Sequence, residues 1–483
     1  MVVVATNKRD LSQSMDTCLT PLDWLMPQVY VSQILCFRTN NHHAFEVLRD
    51  GLRGIVQDVP YLLGGVAGQV TPRGSIQLVE PYQTVDDLLS TEDLSESLDY
   101  ASLQASHFPP SSLSDPAIRP PGTTPPYPTP APVLRARLSL VKGGALLCVA
   151  VHHGTTDITG IGALLKLWAA HCRARSSAAV QFDRSCYDRS ELFRAAVTDP
   201  NNSGPLVTPE LVHVLDGLEQ PKAKIDGAVY VTRILHFSQA LLQDLKTIVN
   251  EHVRSVQGPI KWVSTSDVLT AILWSATVWM KGSSDAHDDE LADKSKVLCT
   301  IGIPVNFRTH LNPALPPNYL GAAFAMTTAS ATRADLCVAS TETCSTDSAS
   351  LSQDSVSSLA RIATAIRTSL GRVNDASVKD VLRFVAAQPD TTRIKLGPRH
   401  NGISLVSWAD QGVYELDWGH ALGRCDAVRL PRMANKRDPI VLPRVPEMQG
   451  VPAGLEVIAS YEMEAMERFC RNPLIQRFAS VRC

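Results

Sequence analysis

Ala145-Leu-Leu-Cys-Val-Ala-Val-His152-His153-Gly-Thr-Thr-Asp157 changes character within a short span. Ala145 to Val151 is an unbroken run of apolar and small residues, with the length and composition of a buried strand. From Ile158 onward the period lengthens, and Ile158, Ile161, Leu164, Leu165 and Trp168 share one face of a helix. His152 and His153 therefore sit where a strand stops and a helix starts, a place where rigid elements hold side chains at an open edge. An imidazole there titrates near neutrality and can take a proton from a hydroxyl or an amine. The plainer reading of the same position is a core histidine satisfied by a backbone carbonyl. Neighbouring residues at a strand end point to opposite faces, so if His153 faces a channel, His152 faces away and serves the loop.

On the N-terminal side, residues 133–141 read as a strand, and Lys142-Gly143-Gly144 as the hairpin turn into the motif strand. Residues 28–38 are rich in β-formers and predict an earlier strand. A helix is expected over 44–56, with Phe45, Leu48 and Leu52 on one face, preceded by solvated or capping His42 and His43. Residues 60–68 read as a turn, and residues 109–132, loaded with Pro, Ser and Thr, as a surface loop.

On the C-terminal side, residues 198–225 look like a crossover linker. The expected organisation is an N-terminal domain over 1–200, a linker over 201–226 and a C-terminal domain over 227–483. A strand is predicted over 228–237. Ser264-Thr265-Ser266-Asp267 then caps a helix over 268–280, because hydroxyl and carboxylate oxygens accept the free amide protons of a first turn. Residues 282–296, including His287-Asp288-Asp289-Glu290, read as a solvated loop, and 327–358 as partly ordered, variable surface.

Composition narrows the class. Hydrophobic content of 44% and charged content of 19% describe a globular chain. A formal charge of -3 argues against a nucleic-acid binder. No apolar run reaches the roughly 18 residues of a membrane span, and the N-terminus lacks the basic start and long apolar stretch of a secretory signal. The 11 cysteines have irregular spacing and no Cys-x-x-Cys pair, so Cys36, Cys148 and Cys299 read as small buried hydrophobes in a reducing, cytoplasmic setting.

His153-x-x-x-Asp157 resembles the HxxxD motif of the BAHD acyl-CoA-dependent acyltransferases. Asp417-Trp418-Gly419-His420-Ala421 is similar to a diverged form of that family's Asp-Phe-Gly-Trp-Gly motif. Val305-Asn306-Phe307-Arg308, followed by Tyr319-Leu320-Gly321, resembles its middle segment, and Leu19-Thr-Pro-Leu-Asp23 and the stretch from Gly454 to Ser460 resemble its two ends. The matches run in the expected order along nearly the whole chain and are most similar to the fungal secondary-metabolism branch, which includes the trichothecene 3-O-acetyltransferases.

The resemblance implies an α/β (α+β) fold: two similarly folded, chloramphenicol-acetyltransferase-like domains with the active site in a channel between them. It implies acyl-CoA as co-substrate, no permanently bound cofactor, and a small-molecule alcohol or amine as acceptor for a monomeric enzyme. His153 would be the general base. Asp157 would support structurally, turning from the imidazole to Arg308 of the second domain, where carboxylate and guanidinium can pair bidentately. Asp417 and Gly419 would be structural, and the substitutions at His420 and Ala421 put the fine shape of their loop in doubt. Trp408 and Ser407 would lie near the oxyanion, with a core aromatic as the alternative reading of Trp408. Ser264, Thr265, Ser266 and Ser407 would meet CoA, since helix starts favour anions, although Asp267 opposes close phosphate contact. Gly154 would let the acceptor approach, and Gly160 would permit tight packing.

Three other functions compete. One keeps the fold and takes the acyl group from a carrier protein, as peptide-synthetase condensation domains do. Another uses His152, His153 and Asp157 as metal ligands, which a strand end makes awkward. The last is a non-enzymatic binding protein, disfavoured by the intact His153 and Asp157.

Overall fold

The computed structural model describes residues 18–174, 180–196, 207–217, 229–282, 296–340, 351–399, 402–431, 437–448 and 452–483. Residues 283–295 of the expected loop and most of the linker over 201–226 lie outside these residues.

The motif strand, Gly144–His152, is buried along its whole length. It lies inside a five-stranded sheet, between Tyr30–Phe37 and Leu134–Val141, with Leu89–Asp93 at one edge. Strands flanked on both sides and covered on both faces have no use for polar residues, which is why this run alternates so little. The helix Ala44–Asp58 packs on the helix Ile158–Arg173, and Trp168 Nε1 donates to the Leu48 carbonyl at 2.9 Å. The strand at the sheet's other edge, Ala427–Arg429, comes from far along the chain and pairs antiparallel with Tyr30–Phe37, Cys36 opposite Ala427. Arg429 then reaches Glu456 at 2.7 Å, a buried ion pair joining the first sheet to the second.

The second five-stranded sheet orders Val406–Ser407, Arg437–Val441, Gly454–Glu462, Tyr230–Ser238 and Ala479–Val481. The helices Gln239–Ser255, Thr265–Lys281 and Gln353–Leu370 pack with it in a second apolar cluster. A three-stranded sheet, Phe324–Thr332, Leu298–Asn306 and Ile403–Ser404, carries the middle motif at the end of its central strand.

Local expectations needed correction in several places. Residues 60–68 are a 3-10 turn, Pro60–Leu63, followed by a short strand, Gly65–Gly68, paired with Ile76–Val79. Within the expected linker, Val212–Val214 pairs with Ile394–Leu396. Thr327 to Thr332 completes a strand rather than starting variable surface, the helix Arg333–Val338 follows, and residues 341–350 are outside the described chain. The loop over 109–132 is exposed over much of 121–129, as expected, and also walls the cavity with Arg119, Thr123, Pro125 and Tyr127.

Candidate active site

The loop after the motif strand begins with a 3-10 turn, His153–Thr155, and its two histidines diverge as strand alternation requires. His152 is buried; its Nδ1 accepts from Gly154 N at 3.2 Å, and its ring meets Tyr30 edge-on at 5.4 Å. Burial, and then the neighbouring His153, push its pKa from 6.5 down to about 4, so it stays neutral and adds no charge beside its neighbour. His153 is partly exposed on the cavity wall and stacks against Phe324 with ring centroids 6.3 Å apart. Its Nδ1 lies 2.9 Å from the Thr156 carbonyl oxygen. A carbonyl only accepts, so Nδ1 carries the hydrogen in that bond and Nε2 keeps the lone pair.

Asp157 does not touch His153's ring. It caps the helix Ile158–Arg173, accepting from Gly160 N at 2.9 Å. Arg308 Nη1 and Nη2 donate to its two oxygens at 2.9 and 2.8 Å, and Ala323 N donates at 2.8 Å. Arg308 spends further hydrogens on the Tyr319 and Gly321 carbonyls and on Asn306 Oδ1. The pair is thus buried with most of its polar capacity used, the condition under which a buried ion pair is tolerated.

A second buried pair flanks the same segment and was not legible in the sequence. Asp23 lies 3.4 Å from Arg189, both side chains fully enclosed. Ala322 N donates to Asp23 as Ala323 N does to Asp157, so consecutive amides bind carboxylates from two N-terminal elements. Arg189 Nη2 also donates to the Thr155 carbonyl at 3.0 Å, supporting the His153 loop from below. Nothing in the sequence around Arg189 signals this role; only the fold brings it to Asp23.

The glycines act through packing. A Cβ on Gly154 would come within 2.6 Å of Ile76 Cδ1, so this residue makes room for Ile76 and not for an acceptor. On Gly160 it would lie 2.5 Å from the Leu320 carbonyl oxygen, which accounts for the tight packing expected there.

The cavity that His153 lines measures about 1360 Å³, above the roughly 300–1,000 Å³ of a one-ligand pocket. Apolar side chains, among them Trp24, Met26, Tyr30, Phe324 and Met326, form much of the wall around polar Thr159 and Asn306. Ser266, Ser407 and Trp408 also line it. Ser264 is occupied as the N-cap of Thr265–Lys281: its Oγ accepts from Asp267 N at 3.2 Å and donates to Asp267 Oδ2 at 3.0 Å. Thr265 starts the helix without facing the cavity, so Ser266 is the residue that this cap presents. The negative charge of Asp267 is met by Arg367, which itself lies over the Trp262 ring. Trp408 packs in an apolar cluster with Ile234, Leu430, Ile440 and Ile458.

The Asp417 loop lies elsewhere. Asp417 Oδ1 accepts from Gly419 N at 2.9 Å; Gly419 has φ +82°, and a Cβ there would meet the Cys172 carbonyl oxygen at 2.9 Å. Trp418 is fully buried against Phe37 and Trp168 in the first core. His420 is exposed, and so are His42 and His43 at their helix start, the solvated reading of that pair. Among the described residues no group of His, Cys, Asp or Glu is arranged to hold a metal ion, and no helix is long and apolar enough to cross a membrane.

Comparison with known proteins gives the family and the fold. Residues 124–473 match the Transferase family, and residues 29–172 match the trichothecene 3-O-acetyltransferase-like N-terminal domain. The chain is 28% identical to the O-acetyltransferase cpsE of Aspergillus campestris over 72% of this chain and 70% of that protein. It is 24% identical to the O-acetyltransferase ptmV of Penicillium ochrochloron over 95% of this chain and 96% of that one. Among solved structures, F. graminearum TRI101 complexed with coenzyme A and deoxynivalenol superposes with TM-score 0.76 at 20% identity, covering 96% of this chain and 99% of that chain. Vinorine synthase superposes with TM-score 0.58 at 16% identity, covering 98% and 97%. The fold is that of the two-domain, chloramphenicol-acetyltransferase-like acyltransferases, as the resemblance implied.

Proposed function

The chain belongs to the Transferase family, and we propose that His153 is the general base with which it moves an acyl group from acyl-CoA to a hydroxyl or amine of a secondary metabolite. It is an enzyme, a CoA-dependent acyltransferase of BAHD type. The observation that carries the role of His153 is its bond to the Thr156 carbonyl, which in the neutral ring puts the lone pair on Nε2, on the wall of a cavity large enough for two substrates.

Nε2 takes the proton as the acceptor oxygen or nitrogen attacks the thioester carbon. The carbonyl electron pair moves to its oxygen. When the intermediate collapses, the carbon–sulfur bond breaks and the thiolate recovers the proton from His153 as free CoA. A thiol of pKa about 8.5 leaves readily, so no covalent acyl-enzyme is required. Ser266 and Ser407 are our candidates for contacts with CoA, Ser264 and Thr265 for forming the helix start behind them, and Trp408 for the wall beside the acyl group. Asp157, Arg308, Asp417 and Gly419 hold the frame. We place the division between the domains at the segment 201–226 and take the working form to be a cytoplasmic monomer.

Thiol release from acetyl-CoA, followed with a panel of acceptors, tests the reading. The panel should include deoxynivalenol and fumigaclavine B, the compounds named for two relatives, and tryptamine as an amine. Acceptor-dependent release that His153→Ala removes supports it; release unchanged in His153→Ala overturns the base assignment.

A further inference from the structure

We infer that Asn306 is the oxyanion donor of this site, held in orientation by Arg308 and assisted by Thr159. The inference rests on the acyl-transfer reading with His153 as base, but not on the identity of the acceptor.

Asn306 ends the strand Leu298–Asn306, and its side chain lines the cavity that His153 lines. The hydrogen-bond partners of an amide show which end is oxygen and which is nitrogen. Here the partners decide. Arg308 N lies 3.1 Å from Asn306 Oδ1, and Arg308 Nη1 lies 3.2 Å from it. Both are donors that cannot accept, so the atom facing them must be the oxygen. The amide nitrogen is therefore the end turned toward the cavity. Its nearest partner is Thr159 Oγ1 at 3.4 Å, long for a hydrogen bond. One Nδ2 hydrogen is thus weakly engaged, and the other has no partner among the described residues. A guanidinium bonded to Oδ1 polarises the amide and strengthens its N–H groups as donors.

This is the equipment an acyl-transfer site needs opposite its base. As the acceptor attacks and Nε2 of His153 takes the proton, the thioester carbonyl oxygen gains a full negative charge. A preorganised donor on the cavity wall stabilises that charge more than it stabilises the neutral ground-state carbonyl. Thr159, on the first turn of the helix that Asp157 caps, lines the same cavity; when its oxygen accepts from Asn306, its own hydrogen is free for the same oxyanion. Trp408 is the rival donor: it lines the same cavity, with part of its ring in an apolar cluster. The inference also gives the Asp157–Arg308 pair a link to the chemistry: Arg308 is a positioning residue that acts through Asn306.

The test measures thiol release from acetyl-CoA, with the fastest panel acceptor or with water alone, for Asn306→Asp, Asn306→Ala, Thr159→Val and Trp408→Phe. Asn306→Asp keeps an oxygen toward Arg308 and loses the N–H donors. Expected is a fall in kcat of about 10²- to 10³-fold for both Asn306 variants, the scale for one lost oxyanion donor. Thr159→Val should show a smaller fall, of about tenfold by the same reasoning. KM for acetyl-CoA and Tm should stay put. Turnover of Asn306→Asp within threefold of the parent, a loss of CoA binding or Tm that accounts for the fall, or a larger fall for Trp408→Phe than for Asn306→Asp would each overturn the inference. A simultaneous loss in His153→Ala leaves the general reading intact, so failure of the two ideas can be told apart.

Discussion

Arg308 grips both oxygens of Asp157, at 2.8 and 2.9 Å, across a seam in which both side chains are buried. Asp157→Ala leaves a buried guanidinium uncompensated and removes an N-cap, so it should cost on the order of 3–5 kcal/mol. Asp157→Asn keeps an acceptor for Gly160 N but turns an NH2 toward a donor, and should cost less. Denaturant melts of the two variants check the order. Equal stability of Asp157→Ala and the parent would remove the pair from the frame of the site.

His153→Ala should lower kcat by a factor of about 10² to 10⁴, the usual value of a general base, while acetyl-CoA binds nearly as before. Because the thioester and the base suffice without an acyl-enzyme, initial-rate patterns should be those of a ternary complex, and chelator should leave the rate unchanged. Parallel ping-pong lines with a trapped acyl group on the protein would point to a nucleophile.

The buried His152 predicts an acid-sensitive fold. Its imidazole protonates near 6.5 when free, and burial together with His153 lowers this to about 4 in the folded chain. Between those values the unfolded chain binds more protons, so this group's stabilising effect is complete above about 6.5 and is lost as pH falls toward 4. His152→Asn retains an acceptor for Gly154 N without a titrating ring. Its Tm should fall less steeply than the parent's from pH 6.5 to 4; parallel curves for the two proteins would show that His152 does not set the slope.

Gly160→Ala places a methyl group 2.2 Å from Thr156 Oγ1 and 2.5 Å from the Leu320 carbonyl oxygen. The carbonyl belongs to backbone that Cys186 already holds, Leu320 N donating to its carbonyl at 2.6 Å, so it has little room to yield. A loss of about 1–3 kcal/mol is expected from overpacking, together with reduced turnover as the helix start shifts away from His153. A variant as stable and active as the parent would show that the seam can relax.

The motif strand, the helix after it and the His152–His153 divergence were legible because each depends on local periodicity: period two along the strand, 3.6 along the helix. Ser264 was readable as a cap for the same reason, since the Asp267 that answers it is only three residues away. Arg308 was legible only through the resemblance, as no spacing rule connects residues 157 and 308.

What needed the tertiary structure shares one physical cause: partners that are distant in sequence. Asp23 and Arg189 have no local pattern because an ion pair needs proximity, not periodicity. Ala427–Arg429 closes the first sheet through backbone bonds that almost any residue could make. The wall formed by residues 109–132 follows from where that loop is folded back. Local sequence determined the strand, the helix and the histidine at their junction. Only the packing of distant segments decided that Asp157 turns to Arg308 and Ala323, and which other residues share a cavity with His153.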